Sequence, residues 1–131
     1  MRRFESFNNL GAAEAQRGGD VDEDYGDGSE VIVGKSTRID KPYLRITGRP
    51  DPESVRPEPV LRKALQHFLE GYKRGTTAYD NFISQMKSIR QDLTVQHIQN
   101  GFTVEVYEEN FRVSLFENDV IQVRHCQANL W

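Results

Sequence analysis

Large apolar residues are sparse and unpatterned through residues 1–30, where RGGDVDEDYGDGSE supplies glycine and carboxylates without an apolar period. Such a segment buries too little surface to offset chain entropy, so an acidic, disordered lead is expected there. The next stretch is punctuated by Pro42, Pro50, Pro52, Pro57 and Pro59. Each proline pushes the residue before it toward extended geometry, which predicts a Pro-rich extended arm over residues 31–58. VIV and YLRIT carry some strand character, and Tyr43, Leu44 and Ile46 are the expected anchors of the arm on a neighbouring surface. Beyond Pro59 the period changes. Leu61, Leu65, Phe68, Leu69 and Tyr72 recur at helical spacing. Pro59 and Glu58 suit the start of that helix, and Lys73, Arg74 and Gly75 suit its end. A second stripe follows at Tyr79, Phe82, Ile83, Met86 and Ile89 or Arg90, with Thr76 or Thr77 as its cap. Two amphipathic helices joined by so short a link predict an antiparallel αα-hairpin.

The pattern from Phe102 onward supports two readings. FTVEVY, FRVSLF and VIQVRH alternate like three strands, with EEN and END as turns. As helices, the same residues place Phe102, Val106, Val113 and Phe116, with Tyr107 and Phe111 alongside, on one wide stripe. Val120, Val123, Cys126 or Gln127, and Leu130 then line a last helix, with Asn118-Asp119 as turn and cap. Glutamates favour helix and β-branched residues favour strand, so propensity alone leaves both open.

The net charge of −3 conceals a division. Lys and Arg number 3, 12 and 2 against 8, 7 and 5 Asp and Glu in residues 1–30, 31–99 and 100–131, accounting for all 17 and 20. The basic middle fits a polyanion or an acidic protein, although its excess is small for a dedicated nucleic-acid footprint, and a solvated mixed-charge surface also accounts for it. A single cysteine, Cys126, rules out an intramolecular disulfide and points to a cytosolic or nuclear compartment. The sequence has no membrane-length apolar run and no apolar core for a signal peptide. HCQANLW closes on large apolar side chains, so a fragment of a longer helical array is expected.

Several motifs fail on spacing. GKS at Gly34–Ser36 resembles half a phosphate loop, but the required earlier glycine position holds Ser29. His67, His97 and His125 fall on separate elements without paired spacing, and His125-Cys126 lacks the other ligands of a metal site. Glu105, Glu108 and Glu109 would share a solvated helix face. No Ser-His-Asp or Cys-His arrangement can be assembled from spacing.

YLRITGRPDPESVRPEPVLRKAL and MKSIRQDLTVQHIQNGFTVEVYE resemble the conserved region of the Sac-three/GANP/Thp-three family. The first block carries Tyr43, Arg45, Thr47, Pro50, Asp51, Pro52, Val55, Arg56, Pro57, Val60 and Leu61; the second carries Lys87–Gln96 and Phe102–Glu108. VIVGKSTRIDKPYLRIT is most similar to the branch of leukocyte receptor cluster member eight and Thp-three. The resemblance implies an all-α fold, with residues 59–131 as the incomplete N-terminal part of a PCI/TPR-like right-handed array of stacked helical hairpins. It decides the open question in favour of helices past Gly101. It also implies a non-enzymatic scaffold in nuclear mRNA processing, transcription elongation or export, without cofactor, metal, membrane or small-molecule substrate. Its partners would be a PCI-domain protein and a small acidic Sem/DSS-type subunit, both contacted mostly through the later part of the family's domain, and RNA. On a helical reading Arg45, Arg56, Arg62, Lys63, Lys87 and Arg90 are the expected RNA-binding residues, joined by Arg49. The bland account of Lys87 and Arg90 is that Arg90 and Asp92 fix the end of the second helix by hydrogen bonds, with Ser88 and Gln91 packing the turn. A PCI-like protein–protein adaptor without a nucleic-acid role is the alternative.

Overall fold

The computed structural model describes residues 31–130, so the expected acidic lead and Trp131 lie outside the described residues. Among the described residues there is no strand. A 3-10 turn at Pro52–Ser54 precedes α1 (Glu58–Arg74), α2 (Tyr79–Val95), α3 (Gly101–Phe116) and α4 (Val120–Leu130). The chain divides into two compact bodies. One contains Ile32–Arg45 and Pro50–Val106; among the described residues the other contains Val31, Ile46–Arg49 and residues 107–130.

In the first body α1 and α2 form the expected hairpin. Leu61, Ala64, Leu65 and Phe68 of α1 are buried, as are Phe82, Met86, Ile89 and Leu93 of α2. Each large side chain contributes about 1.5–3 kcal/mol by leaving water. Tyr72 packs its ring 5.3 Å from Phe82 across the hairpin. The cap expected at Thr76 or Thr77 is not made: the N-cap of α2 is Ala78, without a side-chain bond. The Thr76 hydroxyl instead donates to the carbonyl of Gly71, closing the end of α1. That carbonyl also accepts the Thr76 and Thr77 amides, so the chain is drawn back over α1 before α2 begins.

Three helix ends use the same device. Gly75, His97 and Asn118 each have positive φ (85°, 58° and 62°). The amide of the following residue then reaches back five positions, from Thr76 to Gly71, from Ile98 to Leu93 and from Asp119 to Ser114. This satisfies carbonyls that a helix terminus otherwise leaves bare. The next helix starts at once. Asn100 Oδ1 accepts from the amides of Phe102 and Thr103 to cap α3. Asp119 accepts from Gln122 to cap α4, as expected from Asn118-Asp119.

Helix replaces the alternating strand reading past Gly101. Phe102 and Val106 are buried while Val104, which a strand would place beside them, is 40% exposed. Caps at both ends and burial every third or fourth position outweigh the β-branched content. The helical stripe is not the expected one throughout. Phe116 is 81% exposed, whereas Asn110 and Ser114 are buried and hydrogen-bonded to each other at 3.1 Å. On α4 the buried residues are Gln122, Cys126 and Asn129, rather than Val120 with Val123 and Leu130. Asn129 is tolerated there because its amide donates to the carbonyl of His125. Apolar periodicity cannot anticipate a helix face that buries satisfied amides.

Candidate nucleic-acid interface

The polar residues that stand out in the sequence converge on one clamp within the first body. Extended segment 32–36 alternates, burying Ile32, Gly34 and Ser36. A Cβ on Gly34 would overlap the carbonyl of Val55, whose carbon lies 2.8 Å away, so only glycine fits that approach. The Lys35 amide donates to Pro52 O and the Ser36 amide to Val55 O, both at 2.9 Å. The Gly34 amide donates to Gln96 Oε1 at 3.0 Å. All three amides of the GKS triplet are therefore engaged by protein, which gives the structural reason it does not cradle phosphate.

Arg56 lies at the centre. Its side chain is fully buried, with Nε 2.8 Å from Asp92 Oδ2. Nη1 donates to Ile39 O, Nη2 to Ser88 Oγ and the backbone amide to Asp92. Lys41 Nζ approaches the other oxygen, Asp92 Oδ1, at 2.8 Å and also donates to Ser54 O. Gln96 Nε2 donates to the carbonyls of Arg56 and Asp92. Gln85 accepts from the Lys41 amide and donates to Asp40. Farther along, Ser84 Oγ accepts from the Tyr43 amide, and Gln91 Nε2 donates to Leu44 O. Much of the KSIRQDLTVQ signature is thus occupied in fastening the arm to α2. Buried polar groups so fully paired fix one geometry, because any other leaves charge or hydrogen-bonding capacity stranded.

This arrangement redistributes the six expected RNA-binding residues. Arg56 is no surface cation: the Asp92 carboxylate, the Ile39 carbonyl on the arm and the Ser88 hydroxyl on α2 hold it inside. Arg90 is also buried. Arg62 is exposed but already engaged, with both Nε and Nη2 on Glu58 Oε2 and its guanidinium 4.7 Å above the Phe102 ring. Asn100 donates to the other Glu58 oxygen, and this bond with the Arg62 contacts holds the Glu58 carboxyl below its ordinary range. Lys63 is exposed on α1. Arg45 is exposed on the arm and Lys87 is half-buried on α2. Lys87 shares a helix stripe with Ser84 and Gln91, the residues that hold arm positions 43 and 44. The single patch expected from sequence therefore divides: Arg45 and Lys87 flank the arm, while Arg62 belongs with Phe102 at the start of α3.

The expected arm anchors also change. Tyr43 is 40% and Leu44 74% exposed, so backbone hydrogen bonds and the buried ion pair secure the arm there. Sequence reasoning missed Lys41, Gln85, Ser88 and Gln96 as clamp residues. The one available signal was the density of amide and hydroxyl side chains among the buried positions of α2. Among the described residues no cluster of His, Cys, Asp and Glu could hold a metal ion. No helix of the described residues is long and apolar enough to cross a membrane.

Fold and clamp together define an all-helical domain whose signature residues work in its own architecture. The SAC3/GANP family profile matches residues 33–126, and the chain belongs to that family. It is 46% identical over 101 residues to a THP3 homolog of Schizosaccharomyces pombe, covering 77% of this chain and 25% of that protein. It is 50% identical over 99 residues to the leukocyte receptor cluster member 8 homolog of Xenopus laevis, covering 76% and 12%. Protein THP3 of Saccharomyces cerevisiae is 31% identical over 141 aligned positions, covering 98% and 30%. The chain thus spans between an eighth and a third of the length of these relatives.

Proposed function

We propose that the chain acts as a non-enzymatic scaffold element of a nuclear mRNA-processing, transcription-elongation or export complex. Membership of the SAC3/GANP family supports the setting, and the clamp supports the scaffold role. Ser88, Asp92 and Gln96 hold Arg56 and the arm in one geometry, giving partners a rigid helical platform. Within a PCI/TPR-like array, a PCI-domain protein and a small acidic Sem/DSS-type subunit are the protein partners of this reading. RNA is the polyanion for the exposed part of the basic middle.

Burial of Arg56 and Arg90 favours a second reading, a PCI-like adaptor that binds protein alone. Filter binding of single-stranded RNA across a salt series separates the two. The RNA-contacting scaffold gives an affinity that falls with salt, with a log–log slope near −0.7 per phosphate contacted. Binding without a salt slope, or none, leaves the adaptor.

A further inference from the structure

We infer that arm residues Tyr43 and Arg45, with Lys87 of α2, form a short contact for single-stranded RNA in which the Tyr43 ring stacks on a base. The inference rests on the RNA part of the function proposed above and gives it a location. Three observations carry it.

First, the strip is fixed but its side chains are not used. The arm is hydrogen-bonded to α2 at Lys41, Tyr43 and Leu44. Leu44 nevertheless lies largely outside and Tyr43 keeps 40% of its surface open to solvent, more than buried anchors retain. Second, cations flank the ring. Tyr43 and Arg45 are exposed and two residues apart, a spacing that extended backbone sets at about 7 Å on one side, and Lys87 lies on the helix stripe between Ser84 and Gln91, which bond arm positions 43 and 44. Neither the Arg45 nor the Lys87 side chain forms a hydrogen bond or ion pair among the described residues, unlike Arg56 or Arg62. Third, no nearby carboxylate pairs with them. YLRIT contains none; Asp40 on the arm accepts from Gln85, Asp80 on the α2 stripe lies one turn beyond Ser84, and Asp92 is turned inward onto Arg56 and Lys41.

An aromatic side chain on fastened backbone, between unpaired cations, suits a splayed strand: the base stacks while its phosphates meet Arg45 and Lys87. A duplex hides its base faces and offers the ring nothing to stack on.

The test is fluorescence anisotropy of a labelled 12-nucleotide oligouridine with the full 131-residue chain, over a salt series. Tyr43→Ala is expected to weaken binding roughly 5- to 150-fold without changing the salt slope, and Tyr43→Phe to retain it. Arg45→Gln and Lys87→Gln should each reduce the slope by about 0.7. Arg124→Gln, an exposed cation on α4 outside the basic middle, should change neither. Circular dichroism of each variant excludes unfolding as the cause. RNA binding with a normal slope that ignores Tyr43, Arg45 and Lys87 overturns the strip and leaves the RNA reading standing. Equal affinity for a duplex of the same length overturns the stacking. Absence of binding by the wild-type chain overturns both.

Discussion

Replacing Asp92 with alanine tests the clamp directly. The carboxylate accepts three hydrogen bonds, from Arg56 Nε at 2.8 Å, the Arg56 amide at 3.2 Å and Lys41 Nζ at 2.8 Å. Two of these come from cations, each worth about 1.5–3 kcal/mol. Lys41 keeps a side-chain exposure of 21% and can turn to water once released, so its share of the loss is small. Arg56 cannot, because its side chain is fully buried. Removing the partner of a buried ion costs about 3–5 kcal/mol, against a total stability of about 5–15 kcal/mol for a domain. A loss near 4 kcal/mol lowers the folded-to-unfolded ratio roughly a thousandfold. Urea unfolding followed by circular dichroism at 222 nm reads this as a lower midpoint. The Arg56→Met, Asp92→Leu double variant is the essential companion. It removes both buried charges together, so it should be markedly more stable than Asp92→Ala alone. A single variant within about 1 kcal/mol of wild type would refute the clamp. So would a double variant less stable than Asp92→Ala, since the stranded Arg56 charge would then not be the source of the loss.

Gly34→Ala should cost about 1–3 kcal/mol, because the new methyl meets the Val55 backbone rather than a yielding side chain; thermal unfolding would register about 4–8 °C per kcal/mol. Glu58 has a lowered pKa from the Asn100 hydrogen bond and the Arg62 contacts. Its stabilisation is therefore present above the ordinary carboxylate value and is lost as pH falls through the lowered one. NMR titration should place Glu58 below a typical glutamate, and Asn100→Ala should raise its pKa; no movement would remove Asn100 as the chief cause. His97→Gly, which relieves a left-handed conformation at φ 58°, should leave the melting temperature unchanged or raise it by no more than the equivalent of about 1 kcal/mol. A clear drop would show that the imidazole itself supports the turn.

The hairpin of α1 and α2 was legible because its signals agree: a 3.6 period, Pro59 near the start, Gly75 at the end and a short link. The stretch from Gly101 to Leu130 was not legible from pattern, since alternating and helical apolar positions coincide there. Family resemblance chose helix, and the burial of Phe102 and Val106 with Val104 outside agrees. The basic residues were the least legible. Arg45, Arg56 and Arg90 look alike in a string, yet one is exposed and two are buried; Arg56 is held inside because Asp92, 36 residues after it, is folded against it.

Sequence by itself determined that an arm broken by prolines leads into a hairpin of amphipathic helices, and where the first of them stops. Backbone restriction and apolar spacing are local properties, written in adjacent residues. Only the tertiary structure decided which polar groups are architecture and which face outward. That choice depends on partners brought together from distant positions, and on the cost of burying any charge left without one.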